Sequence, residues 1–287
     1  MSMIQDREIY MELEDQISEA LKKAIRVLPP EVEDLIRGAY ESERGEGGRL
    51  ALDAIIRNIE ASGKSGLPLC QDTGLIWCIA EIGRDSHTDI AALESLILAG
   101  AEKGAAEGYF RKSSVEDPIY TRRNTLTNMP PVINYALVDG SDVTLRFLMK
   151  GFGSENCSSV RMLNPTAGED GVVSAVVDMM KCAGGKPCPP VFLGIGVGST
   201  MDGAALLSKR AFFREGKESS LEMRIKDEVN KLSIGPGGLG GDNTCLSVQL
   251  LEAPTHIAGL PVALTVNCWA DRKATLVIEG GYCGKNS

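Results

Sequence analysis

Apolar residues recur at helical spacing from early in the chain. Leu13, Ile17, Leu21, Ala24, Ile25 and Leu28 share one face of a helix over residues 11–28. Pro29-Pro30 stops that helix and opens a second, which runs to about Arg44 with Val32, Leu35, Ile36, Ala39 and Tyr40 inward. Glu46-Gly47-Gly48 reads as a break before a third helix from about Leu50 to Ala61. A largely apolar run, Leu75–Ile82, predicts a buried strand with Cys78 inside it. Residues 89–107 form an alanine- and leucine-rich helix. The period then changes to two. Ile133, Tyr135 and Leu137, then Asp139-Gly140, then Val143, Leu145 and Phe147 predict a hairpin over residues 131–150. Helices follow at 169–183, 202–213 and 218–232, and strands at 191–200, 245–252, 260–266 and after Ala274. The pattern is α/β mixed, of α+β type: an N-terminal helical segment followed by mixed sheets with packed helices. Residues 1–287 read as one domain with room for two lobes and no internal repeat.

Composition narrows the function more than the fold. Hydrophobic residues make up 43% and charged residues 24% of 287, ordinary for a soluble protein. The net charge of −9, with no basic run, argues against nucleic acid and anionic membrane as partners. No apolar run reaches the roughly 18 residues of a transmembrane helix. The charged start, Met1–Glu8, lacks a signal-peptide core, so a cytoplasmic setting with reduced thiols is expected. Eight cysteines spread over more than 200 residues do not form a disulfide scaffold, and no CxxC occurs. The histidine count of two, His87 and His256, argues against a zinc hydrolase or a histidine-based triad.

Three cysteines stand in loops, each beside prolines or at a strand end. Leu67-Pro68-Leu69-Cys70-Gln71-Asp72-Thr73-Gly74 packs a soft ligand beside an amide, a carboxylate and a hydroxyl. The plainer reading is a buried cysteine beside a turn that Asp72 caps. Pro187-Cys188-Pro189-Pro190 holds a cysteine between prolines, and Asn267-Cys268-Trp269-Ala270-Asp271-Arg272 follows a strand. Their separations, 118 and 80 residues, require a folded scaffold to unite them. Three thiolates on an iron–sulfur cubane would leave one iron open as a Lewis acid, while three unrelated thiols remain the alternative. Arg111 follows a helix end, as a solvated or capping arginine or as a carboxylate clamp. Two glycine-rich stretches add turns: Lys150–Cys157, whose amides could hold an anionic oxygen, and Ile234–Thr244. Gly194, Gly196 and Gly198 suggest a nucleotide loop, but their spacing is GxGxG, not GxGxxG.

Taken together, Cys70-Gln71-Asp72-Thr73-Gly74, Lys150-Gly151-Phe152-Gly153-Ser154-Glu155-Asn156, Cys188-Pro189-Pro190, Pro254–Val262 and Cys268-Trp269-Ala270-Asp271-Arg272 resemble the alpha part of class I, iron–sulfur fumarases. L(+)-tartrate dehydratase is a relative within the same architecture. The resemblance covers about residues 10–280 and departs at Phe152, where glycine is usual, and at Asp242, where a basic or neutral residue is expected. It implies an alpha-type hydro-lyase domain with a [4Fe-4S] cluster ligated by Cys70, Cys188 and Cys268. It further implies substrate contacts from Gln71, Asp72, Arg111, Gly153 and, more weakly, His256, with Gln71 and Asp72 catalytic. The substrate would be a small dicarboxylate: fumarate, hydrated reversibly to L-malate in the tricarboxylic acid cycle, or tartrate, dehydrated to oxaloacetate. A separate beta subunit would complete the site in a hetero-oligomer such as a dimer of heterodimers. A cluster-bearing sensor without chemistry and a nucleotide-binding protein are the readings from other classes.

Overall fold

The computed structural model describes residues 2–283. In chain order the elements begin with α1 (Ser2–Ala24), α2 (Pro30–Ser42), α3 (Glu46–Ser65), β1 (Leu75–Gly83), α4 (Ile90–Glu107), β2 (Val132–Val138), β3 (Val143–Lys150) and α5 (Phe152–Glu155). They continue with β4 (Ser159–Leu163), α6 (Gly168–Ala183), β5 (Val191–Ser199), α7 (Met201–Arg210), α8 (Ser220–Asn230), β6 (Cys245–Thr255), β7 (Leu260–Asn267) and β8 (Lys273–Ile278). The mixed α/β class is as the pattern indicated. Two compact units divide the chain. The first holds the chain up to Pro29, Ala61–Lys150 and the stretch from Arg272 onward; the second holds Pro30–Glu60 and Gly151–Asp271.

The first unit carries a sheet of order β2-β1-β3-β8. The hairpin expected over 131–150 is not formed. β1 lies between β2 and β3, parallel to β2 and antiparallel to β3. β1 is apolar except for Glu81, which pairs with Arg146 of β3 at 2.8 Å, and is almost wholly buried, which suits a central position. The turn at 139–142 passes over its end: Gly83 N–H donates to Asp142 O at 2.9 Å, and Asp85 N–H donates to Gly140 O at 3.0 Å. A Cβ on Gly83 would stand 2.3 Å from Gly140 O, so only glycine lets the turn cross there. The alternation was real, but it belongs to two strands that flank a third. α1 and α4 cover this sheet, with Ile17, Leu21, Ile25, Ile76, Cys78, Leu93, Ile97, Leu145 and Phe147 in one core. Each large side chain buried there is worth about 1.5–3 kcal/mol before entropy is counted. Asp89 accepts from Ala92 N–H and so caps α4 where the sequence placed its start.

The second unit carries a sheet of order β4-β7-β5-β6. β5 is central, parallel to β6 and antiparallel to β7. α7 lies directly on β5: a Cβ on Gly194 would be 2.1 Å from Ser208 O, and one on Gly196 would be 2.1 Å from Ala204 O. Gly194 and Gly196 are thus a backbone-to-backbone packing seam under α7, and Gly198, at φ +90°, would set a Cβ 2.0 Å from Ala253 O of β6, which accounts for these glycines without a nucleotide. Ser219 and Glu222 form a capping box that starts α8. Val172, Val176, Met180, Ile195, Ile225, Val248, Leu264 and Val266 form this unit's core. α3 begins at Glu46, so Gly47 and Gly48 do not break a helix but open one. A Cβ on Gly47 would be 2.8 Å from Leu239 O, and one on Gly48 would be 2.9 Å from Gly240 O. The strand β4 and the short α5 went unrecognised, because each is too brief to show a period.

The chain shows no sequence repeat, yet its topology repeats. β1–α4–β2–β3 places β1 between the two strands that follow it, and β5–α7–α8–β6–β7 does the same with β5. The strand after β3 joins the second sheet as β4, and the strand after β7 joins the first as β8. Among the described residues no helix is long and apolar enough to cross a membrane.

Candidate active site

In the first unit, several chemistry-bearing segments reach the same end of the sheet. The Cys70 loop precedes β1, Arg272 precedes β8, and Lys150 ends β3 opposite Leu75. The Cys70 loop is held through its own backbone. Leu69 N–H donates to Ile25 O at 2.8 Å, and Ser62 Oγ donates to Leu67 O at 2.6 Å. Arg272 Nη1 donates to Asp72 O at 2.7 Å, and Asn128 Nδ2 donates to Gly74 O at 3.1 Å. Thr73 Oγ1 accepts from Arg111 N–H at 2.9 Å. Asp72 Oδ1 accepts from Gly74 N–H at 3.1 Å, the turn-capping role that the plainer reading assigned to it. Gly74, at φ +84°, supplies the exit.

These bonds hold the loop while Cys70 and Asp72 stay half-buried and Gln71 exposed. Arg111 has its backbone tied to Thr73 and its side chain in solvent, an arrangement suited to a cation offered to an incoming anion. Arg272 is 1% exposed and its Nε has no hydrogen-bond partner among the described residues. Arginine does not deprotonate in proteins, so this is a buried positive charge against the Cys70 loop.

In the second unit, register brings two further cysteines to one end. Val191 opens β5 just after Cys188-Pro189-Pro190, and Phe192 lies opposite Asn267, the last residue of β7. Cys268 therefore emerges where Cys188 enters. Trp269 N–H donates to Cys188 O at 3.4 Å and ties the two loops together. Cys188 has φ +55°, a left-handed conformation uncommon outside glycine and costing on the order of 1 kcal/mol or more. Its thiol is exposed, and that of Cys268 is half-buried. Gly237 N–H donates to Pro189 O at 2.7 Å, so the second glycine-rich loop also braces this corner.

The other candidates fall in different places. Gly153 lies on α5 with its backbone exposed, the nearest obstacle to a Cβ being Lys186 O at 3.7 Å. His256 is exposed in the turn before β7, and its Nδ1 accepts from Ala258 N–H at 3.1 Å. Eight residues of β7, roughly 26 Å of extended chain, separate its turn from Cys268. His256 is thus at the far end of the third cysteine's strand, away from the Cys188–Cys268 corner. Cys78 and Cys245 are buried, and burial pushes both thiols far above the ordinary range, which unfits them as thiolate ligands. Among the described residues no three His, Cys, Asp or Glu side chains are gathered to hold a metal ion.

Thr73, Asn128, Arg272 and the Trp269 amide were not assigned roles from sequence. All act on backbone groups; Thr73 lies in the Cys70 motif and Trp269 and Arg272 in the Cys268 motif, whereas nothing in the sequence pointed to Asn128.

A family model for fumarate hydratase (Fumerase) matches residues 14–277. The chain belongs to this family. It is similar to "Putative L(+)-tartrate dehydratase subunit alpha" of Methanocaldococcus jannaschii, 36% identical over 277 residues, covering 92% of this chain and 96% of that protein. It is also similar to proteins of Escherichia coli and Shigella sonnei named L(+)-tartrate dehydratase subunit alpha, each 28% identical over 268 residues, covering 90% of this chain and 88% of theirs. As a member of the family the chain is a hydro-lyase.

Proposed function

We propose that this chain is the alpha-type catalytic domain of a cytoplasmic class I fumarate hydratase, catalysing the reversible hydration of fumarate to L-malate. The observation that carries this reading is the corner at the end of the second sheet, where the Cys188 and Cys268 loops are joined by the Trp269 amide. Cys70, Cys188 and Cys268 would hold a [4Fe-4S] cluster. The donor set fits such a group: the three thiols lie in loops with some exposure, as thiolate ligands require, whereas Cys78 and Cys245 are buried and stay protonated. Cys157, Cys182 and Cys283 are also accessible and are set aside on the motif alone. The buried charge of Arg272, with its unmatched Nε beside the first cysteine loop, also fits an anionic thiolate cluster. When bound, a cluster held by these three thiolates would supply a Lewis acid for a hydroxyl or water oxygen.

The chain's own residues then bind and orient the diacid. Arg111 pairs with one substrate carboxylate, which a guanidinium does in two-point fashion. Gln71 and the exposed backbone of Gly153 add hydrogen bonds. The Asp72 carboxylate, held in line by Gly74 N–H, takes or gives the proton on the side of the Cys70 loop. As charge moves onto the substrate carboxylate, Arg111 stabilises it. The carbon-centred proton is removed by a base on a separate beta subunit, so the chain alone turns over little. Assay of the reconstituted chain without its partner tests this, and full turnover there would overturn the split site.

A second reading, dehydration of L(+)-tartrate to oxaloacetate, is favoured by the names of the relatives. Turnover of fumarate, malate and L(+)-tartrate by the complete enzyme separates the two. Faster conversion of tartrate would transfer the assignment.

A further inference from the structure

The glycine-rich loop over residues 234–244 braces the Cys188 corner through Gly237 N–H, and what holds the loop itself lies elsewhere. Its anchor is Glu43, at the end of α2. The Glu43 side chain is 2% exposed and its carboxylate is surrounded by donors. Oε1 accepts from Gly45 N–H at 2.8 Å and Asp242 N–H at 2.9 Å. Oε2 accepts from Asn243 N–H at 3.0 Å and Asn243 Nδ2 at 2.9 Å. Glycines make the space: a Cβ on Gly241 would be 2.6 Å from Oε1, and one on Gly48 would be 2.9 Å from the carboxyl carbon. Burial alone would raise the Glu43 carboxyl, but the Asp242 amide, the Asn243 side chain and the Gly45 and Asn243 amides together hold it below its ordinary value.

From this anchor the loop leads to a cysteine. Gly235, Gly237, Gly238, Gly240 and Gly241 all have positive φ, so the path is one that few other sequences could take. At its far side Gly237 N–H donates to Pro189 O at 2.7 Å, and Gly238 packs so closely on Gly185 that an added Cβ would be 2.9 Å from the Gly185 Cα. Both contacts fall within three residues of Cys188, whose backbone is itself in the left-handed region. The loop closes through Val191 N–H to Thr244 O at 2.8 Å.

We propose that Glu43 is a positioning residue for Cys188: its buried carboxylate fixes the glycine-rich loop, and the loop fixes the Pro189 peptide that presents the thiol. This rests on the reading of Cys188 as a cluster ligand for its functional meaning, while the geometry it describes belongs to the cluster-free chain. The unusual expense of a buried carboxylate and five left-handed glycines is then set against the placement of one thiol.

The test uses the full chain with Glu43→Gln, Gly238→Ala and Arg44→Ala. Glu43→Gln turns one carboxylate oxygen into a donor facing donors. Gly238→Ala strains the same loop without touching Glu43. Arg44→Ala removes the solvent-side pairing with Asp242, Arg44 Nε to Oδ2 at 2.8 Å and Nη2 to Oδ1 at 2.9 Å. Two readouts are taken: the rate of iodoacetamide labelling of Cys188 in the cluster-free chain, normalised to exposed Cys182, and the paramagnetic resonance spectrum of the reduced cluster after reconstitution. The expected result is that Glu43→Gln and Gly238→Ala both raise normalised Cys188 labelling several-fold and alter the spectrum, with Arg44→Ala like the parent. Parental labelling in a folded Glu43→Gln chain overturns the proposal. Should Glu43→Gln not fold, parental labelling in Gly238→Ala overturns it instead. A parent that takes up no cluster defeats the cluster reading, and labelling still decides the role of Glu43.

Discussion

The two units solve one problem with opposite charges. Each has a central strand preceded by a cysteine loop, β1 by Cys70 and β5 by Cys188, and each lays its later strands on both sides of that centre. In the first unit the loop is held by side chains that donate to its carbonyls, led by the buried cation Arg272. In the second it is held by backbone amides, from Trp269 and Gly237, and the glycine loop that delivers one of them is organised by the buried anion Glu43. A guanidinium reaches a carbonyl directly. A carboxylate cannot, because a carbonyl offers it no proton, so it must act through intervening N–H groups. The second solution therefore needs a run of left-handed glycines, whereas the first loop takes one at its exit, Gly74.

This contrast is broken most severely at the central strands. Gly83→Ala and Gly196→Ala each force a Cβ into a backbone carbonyl, at 2.3 Å and 2.1 Å. Each should cost about 3 kcal/mol or more. Hydrogen exchange should show the loss concentrated in the first unit for Gly83→Ala and in the second for Gly196→Ala.

Next comes Arg272→Met, which removes the donor to Asp72 O together with a buried charge. It should cost on the order of 1–3 kcal/mol. Exchange of the amides around Asp72 should rise, while Cys188 labelling stays at the parental rate.

The acid response of Glu43 sharpens the contrast from the other side. Its folded value lies below the ordinary 4.5, so its stabilisation is present above about pH 4.5 and is lost as pH falls through the folded value. Between those limits the amides of Asp242 and Asn243 should lose protection. In Glu43→Gln that pH dependence should be absent. Arg44→Ala, an exposed pair on the same loop, should leave melting unchanged within measurement.

Much of this was legible in the sequence because it obeys a period or a cap. The face of α1, that of α2 except for Leu35, which is exposed, the buried run of β1 and the helix that became α8 follow from local chemistry. What was not legible depends on something distant. The alternation in β2 and β3 is the same whether they pair with each other or with β1, so the false hairpin could be detected only through Gly83. Gly47-Gly48 looks like a break until Leu239 and Gly240 arrive beside it. The Gly194–Gly198 turn looks like a phosphate loop until α7 fills the space. In the candidate site the cysteine loops could be named from motifs. The groups that hold them, Arg272, Asn128 and Glu43, act on backbone atoms, and no residue pattern announces which backbone a side chain will reach.

The proposed cluster is held by three loop cysteines and not by the other five. Anaerobic reconstitution of the chain with iron and sulfide, followed by iron counting, tests it most directly. The parent should take up about four irons per chain. Cys70→Ser, Cys188→Ser and Cys268→Ser should each lose most of that iron, while Cys157→Ser and Cys182→Ser keep it. A Cys188→Ser chain that retains the full iron content, or a Cys182→Ser chain that loses it equally, would contradict the account.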